Sequence, residues 1–167
     1  MSSDVLEKMK ILRGLLASEN GQHYKNVQAM LPYEAEKGLA PTKSKKIESG
    51  VRAYSRLHRG LAFVAELFIK LSDTPESEYF GPIAKKCYED SLAQYHPWLI
   101  KKGVGLALTS LQSNCLDLAI SISIVEKGST SVGPEQRELM RKVGNEAKIL
   151  HDIGEKLLGD AQCLDLP

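Results

Sequence analysis

Apolar residues recur along this chain at steps of three and four, in segments parted by short runs of glycine, proline and polar residues. That period is the helical one. The most extended such segment is Ser49 to Ser72, SGVRAYSRLHRGLAFVAELFIKLS, which lacks proline. Leu57, Leu61, Val64, Phe68 and Leu71 share one face of it at about 3.6 residues per turn, which predicts a single long helix. Upstream, Val5, Met9, Leu12 and Leu16 predict a helix that Ser2 or Ser3 caps and that runs to about Ala17. After a turn at Ser18 to Gln22, the residues Tyr24, Val27, Leu31 and Leu39 predict another, with Pro32 as a kink or an early end.

Downstream, Ile83, Cys87, Leu92 and Tyr95 predict a helix that stops before Pro97. Pro97 then opens PWLIKKGVGLALTSL, a first-turn position that suits proline. Gly103 and Gly105 lower its helix propensity and leave room for a close neighbour or a ligand. Asn114 to Val125 is ambiguous, because Ile120, Ile122 and Ile124 alternate with serines as they would in a strand. With no other strand to pair with, it reads as helix. Pro134 begins a last long helix marked by Leu139, Val143, Ala147, Leu150, Ile153 and Leu157. The closing AQCLDLP is apolar and is expected to pack. The fold class is all-α, with about six helices.

Composition narrows the function classes. The 167 residues suit one domain with a substantial core. A net charge of +1 argues against a general nucleic-acid binder, so any anion site must be local. Cys87, Cys115 and Cys163 are odd in number and far apart, which fits a reducing compartment rather than a disulfide framework. MSSDVLEKMK carries acids and has no apolar core of a signal peptide, and no run approaches the length of a membrane span. There is no glycine-rich phosphate loop, no nucleophile triad and no metal-ligand spacing.

The local anion site has a candidate. Arg52, Arg56 and Arg59 fall opposite the apolar face of the long helix, Phe63 continues their row, and no acid occurs between Glu48 and Glu66 to pair with them. The basic loop APTKSKK runs into this cationic start. Beyond it the helix turns apolar, a combination that suits an amphiphile with an anionic head. On spacing alone, Asp4 and Lys8 form an exposed pair one turn apart.

At Tyr95 to Lys102, YHPWLIKK, the chain resembles the glycolipid transfer protein family, in its ceramide-1-phosphate branch. SDVLEKMKIL, HYKNVQAM, ESGVRAYSRLHRGL, SLAQYHPW and the terminal LDLP carry the resemblance in order along nearly the whole chain, least strongly from Ser113 to Val132. The resemblance implies a two-layer sandwich of α-helices in a single domain over residues 1–167, with lipid chains between the layers and the head group at the rim. Family members have a helix and the start of a second ahead of the residue matching Asp4, so the implied domain is incomplete at its N-terminus.

By position, Asp4 would accept the ceramide amide N–H and His96 would donate to the amide carbonyl. Lys8, Arg52 and Arg56 would hold the phosphate, with Lys43 as a peripheral helper. Trp98, Leu99, Ile100, Lys101 and Lys102 would form the membrane-touching rim. Arg59 and His58 read as structural. The sugar-binding branch has tryptophan at position 56, a stacking platform that an arginine does not provide, so Arg56 favours phosphate over a hexose.

The implied activity is non-enzymatic intermembrane transfer of a phosphorylated sphingolipid by a cytosolic monomer that touches membranes transiently and needs no cofactor. The alternatives are a lipid-dependent sensor that binds without transferring, or a glycosphingolipid carrier. An enzyme using Asp4 and His96 as an acid–base pair is disfavoured, since no nucleophile or metal cluster accompanies them.

Overall fold

The structure is a computed structural model and describes residues 3–39 and 49–166. Its described residues form seven α-helices and no strand: α1 (Ser3–Leu16), α2 (Val27–Glu36), α3 (Gly50–Asp73), α4 (Phe80–Ser91), α5 (Trp98–Thr109), α6 (Cys115–Ser121) and α7 (Pro134–Asp160). Short 3-10 turns at Gly21–Tyr24 and Ala93–Tyr95 precede α2 and follow α4. Tyr24 therefore lies outside the helix its spacing assigned it to, and Leu39 lies beyond that helix's end. Pro32 sits inside α2 and neither stops it nor shortens it to the preceding residue. Asn26 caps α2 by accepting the Ala29 N–H at 2.8 Å.

The ambiguous Asn114 to Val125 stretch resolves into a helix of 7 residues, held by a reciprocal capping box between Asn114 and Asp117. The helix ends at Ser121, and Ser123 takes a left-handed φ of 60°. The isoleucine–serine alternation thus runs out of a helix into a turn. The N–H groups of Ile124 and Val125 both bond the Ala119 carbonyl there.

The chain divides into two compact units. The first comprises Met1–Gly60 and Leu150–Pro167. Its core is Met30, Leu31, Val51, Leu158 and Cys163, with Leu12, Tyr54, Leu164 and Leu166 packed against it. The C-terminal segment packs, as its apolar composition requires.

The second unit is Leu61–Ile149, built on Leu71, Cys115, Ala119, Val125, Val132 and Met140. Arg137 closes the end of α3 by donating to the Ser72 and Thr74 carbonyls at 3.3 and 2.7 Å and by pairing with Glu76. Among the glycines of this unit the tightest is Gly81, where a Cβ would lie 2.3 Å from the Leu108 carbonyl oxygen. Gly103, by contrast, faces open space, so the close approach that its residue type permits is not made there.

The three cysteines are free and buried. Burial raises their thiols, that of Cys87 to about 11, which leaves them poor nucleophiles.

The last helix departs most from its hydrophobic pattern. Leu139, Val143, Leu150 and Ile153, the residues that mark it in the sequence, are all exposed. Its buried positions are Met140, Gly144, Ala147, Gly154 and Leu158. Small residues, rather than the large apolar ones, face the protein interior along most of α7.

Candidate functional site

In the first unit a buried carboxylate organises the start of α3. Glu34, from α2, is 0% exposed and accepts from the Ser49 hydroxyl at 2.6 Å, the Gly50 N–H at 2.6 Å and the Val51 N–H at 3.2 Å. The Tyr24 hydroxyl donates to it as well, at 3.2 Å. An anion at a helix N-terminus satisfies donors that the helix cannot bond internally and meets the positive end of its dipole. Burial, then the charge of Glu34, pushes the Tyr24 phenol up to about 12. Gly50 is closely surrounded at this point: a Cβ would lie 2.7 Å from Met30 Sδ, 3.0 Å from the Tyr24 ring and 3.1 Å from Glu34 Oε1. The Arg52 N–H bonds Ser49 Oγ at 3.2 Å, so the first turn of α3 is fixed from two sides.

Arg52 and Arg56 follow one turn apart on that anchored helix, Arg52 half-buried and Arg56 exposed. Asp4 and Lys8 lie one turn apart on α1, with Lys8 Nζ 3.5 Å from Asp4 Oδ1. The pair that the spacing predicts is present, but it is not an exposed pair: Lys8 is 7% exposed. Its ammonium also donates to Glu7 Oε1 at 2.7 Å. The hydrogen bond and charge of Lys8, with Arg56 adding to them, hold the Glu7 carboxyl below its ordinary range. The charges of Lys8 and Arg56 thus both act on Glu7. Sequence spacing gives no sign of Glu7, since neighbours at i and i+1 on a helix do not normally face each other.

Lys43 lies outside the described residues. Arg59, although on the arginine row, donates to the carbonyls of Leu164 and Leu166 at 2.8 and 2.7 Å and so anchors the C-terminal segment. His58 is buried, with Nε2 2.8 Å from Glu155 Oε2. Desolvation lowers its pKa, outweighing the upward pull of that carboxylate.

In the second unit His96 follows the 3-10 turn in an extended conformation. Its Nδ1 lies 2.8 Å from the Tyr88 hydroxyl. Burial raises the Tyr88 phenol, and in the Nε2–H tautomer of His96 that hydroxyl donates to Nδ1. The imidazole is then left with Nε2–H as its own donor. The next turn of chain is α5, where Trp98 and Leu99 are 70% and 72% exposed and Ile100, Lys101 and Lys102 are exposed too. Lys102 Nζ stands 5.6 Å from the Trp98 ring centroid, within cation–π range. No helix of the described residues is long and apolar enough to cross a membrane.

Comparisons with known proteins bear on these features. The family described as Glycolipid transfer protein (GLTP) matches residues 1–115. The ceramide-1-phosphate transfer protein of Danio rerio is 40% identical over 114 residues, which are 66% of this chain and 54% of that protein. The chain thus spans about half the length of that relative. Among solved structures, the apo form of mouse ceramide-1-phosphate transfer protein superposes with a TM-score of 0.87 at 26% identity, over 100% of this chain and 78% of that one. The human protein in complex with 12:0 ceramide-1-phosphate superposes with a TM-score of 0.84 at 28% identity, over 98% of this chain and 76% of that one.

Proposed function

Because this chain belongs to the glycolipid transfer protein family, we propose that it carries a sphingolipid with a phosphate head between membranes, as a single domain and without converting it chemically. The observation that carries this reading is the cationic set of the first unit. Lys8 donates to the Glu7 carboxylate, the charge of Arg56 also acts on Glu7, and Arg52 lies one turn before Arg56 on a helix anchored by Glu34. A cation that pairs with a carboxylate can equally pair with a phosphate. A phosphate monoester brings about 1.5 to 2 negative charges and three strong acceptor oxygens. Each charge-assisted bond to it contributes roughly 1.5–3 kcal/mol. A neutral hexose has no use for so many cations, and Arg56 offers it no broad apolar platform.

In this reading Lys8, Arg52 and Arg56 hold the phosphate, with Lys43 assisting. Asp4 accepts the ceramide amide N–H, and His96 donates from Nε2 to the amide carbonyl. A glycerolipid ester lacks that N–H and leaves Asp4 without a donor. Trp98, Leu99 and Ile100 enter the interface of a membrane while Lys101 and Lys102 meet its anionic head groups. The human relative, whose structure contains ceramide-1-phosphate, supports the choice of head group.

The test is transfer of fluorescent lipid between donor and acceptor vesicles. Ceramide-1-phosphate is expected to move faster than galactosylceramide, and Arg56→Ala to abolish most of the difference. Equal or faster movement of galactosylceramide would overturn the phosphate assignment. Tight binding of ceramide-1-phosphate without transfer would make the protein a lipid sensor instead.

A further inference from the structure

His58 and His151 have no part in the lipid-carrying reading, yet within the first unit they meet face to face. Their ring centroids are 4.3 Å apart, and their planes are within 6° of parallel. Glu155 Oε2 lies 2.8 Å from His58 Nε2 and 3.8 Å from His151 Nε2, so both histidines address the same carboxylate oxygen. His151 and Glu155 are one turn apart on α7, while His58 comes from α3. The approach is possible because residue 154 is glycine: a Cβ there would lie 2.6 Å from His58 Nδ1. The His58 side chain is 2% exposed, and its Nδ1 has no hydrogen-bond partner. His151 and Glu155 are 23% and 46% exposed. The cluster thus has a buried wall on one side and an opening to solvent on the other.

We propose that His58, His151 and Glu155 form a binding site for a divalent first-row transition cation, with zinc as the representative ion. Two imidazoles and a carboxylate suit such an ion better than they suit magnesium or calcium, which favour oxygen. Tetrahedral zinc takes nitrogen and oxygen donors at about 2.0–2.2 Å, so adjacent donor atoms stand roughly 3.3 Å apart. The separations of 2.8 and 3.8 Å bracket that value, and all three donor atoms lie within 4.8 Å of one another. Parallel stacked rings cannot both hold one ion in their planes. Binding therefore swings His151, the more exposed ring, out of the stack, with Glu155 moving between the two nitrogens. Water completes the coordination from the open side. The bound ion ties α3 to α7, within the unit that also holds Asp4 and Lys8.

The test uses the full chain, stripped with a chelator and titrated with zinc and with cobalt(II) at pH 7.5. One saturable site is expected, with a melting temperature that rises with zinc concentration as ligand linkage requires. Cobalt should give the intense visible absorption of a low-coordinate site, without the near-ultraviolet band of thiolate ligation. His151→Ala and Glu155→Gln should each weaken binding by roughly tenfold or more, whereas His23→Ala should leave it unchanged. Circular dichroism of the metal-free variants checks that they are folded. If His151→Ala does not fold, Glu155→Gln carries the comparison. Failure to reach saturation by roughly 1 mM zinc would overturn the proposal. So would affinity undiminished in both variants, or a cobalt–thiolate band. None of these outcomes depends on the lipid assignment, because no readout involves lipid.

Discussion

Glu7 has two roles that conflict once a ligand arrives. It neutralises the nearly buried Lys8, and it occupies the cation that the proposed phosphate needs. Under the proposed phosphate assignment Lys8 would exchange one anion for the other during loading, with Glu7 as a placeholder for the head group. Glu7→Gln is expected to tighten ceramide-1-phosphate binding several-fold and to slow its release, since the competing charge is gone while the helix is unchanged. Binding isotherms on vesicles check this; weaker binding would mean that Glu7 positions Lys8 rather than competing for it. At His96, the Tyr88 hydroxyl is the partner of Nδ1. Tyr88→Phe removes one hydrogen bond worth about 1 kcal/mol to the fold, yet it frees the imidazole to turn or to protonate the wrong nitrogen. Lipid affinity is expected to fall by more than the melting temperature accounts for, and the ring nitrogen shifts seen by NMR should change.

Among the helices, α3 depends on α2 for its first turn. Glu34→Ala leaves the Gly50 and Val51 N–H groups and the Ser49 hydroxyl buried without their acceptor. Unsatisfied buried donors cost about 1–3 kcal/mol each, so a loss of roughly 3 kcal/mol or more in urea unfolding is expected. Arg52 and Arg56 sit just beyond that turn, and their anion affinity should weaken in parallel. The α3–α7 packing of the second unit rests on Gly144, where a Cβ would approach Ile69 N to 2.9 Å and the Ala65 carbonyl oxygen to 3.0 Å. In a free helix Gly→Ala would gain about 1 kcal/mol. Here the new methyl meets backbone atoms that have little room to yield, and Gly144→Ala is expected to destabilise by about 1–3 kcal/mol. An increase in stability would mean that the two helices can part at no cost.

In the proposed carrier, loading and docking would draw on different side chains. Trp98 is 70% exposed and contributes little to the core, so Trp98→Ala should leave the melting temperature nearly unchanged. It should lower partitioning onto vesicles and the transfer rate together, because an interfacial indole is lost where Lys101 and Lys102 meet head groups. Arg56→Ala should do the opposite: membrane partitioning persists while head-group selectivity is lost. A fall of several degrees in the melting temperature of the Trp98 variant would show that the ring is structural.

Local sequence determined the helices and the cation row. The 3.6-residue period of Leu57 to Leu71 needs only neighbouring residues to be recognised, and so does the spacing of Arg52 and Arg56. The Trp98–Lys102 segment was legible in YHPWLIKK, and the family in that motif together with SDVLEKMKIL, HYKNVQAM, ESGVRAYSRLHRGL and the terminal LDLP. Tertiary structure alone decided what each charge does. Arg56 and Arg59 share one row by spacing, and the structural role expected of Arg59 takes a form that spacing does not give, with bonds to carbonyls 105 and 107 positions away. Lys8 reads as an exposed partner of Asp4 and is instead buried, with Glu7 on its ammonium. His58 and Glu155 meet across 97 positions, which no spacing rule could anticipate. The same is true of α7, whose large apolar residues mark the helix while its small ones form most of the buried face. Hydrophobicity ranks residues by their cost in water. Which face is buried depends on how closely two backbones can approach, and at Gly144 and Gly154 that distance is set by the absence of a side chain.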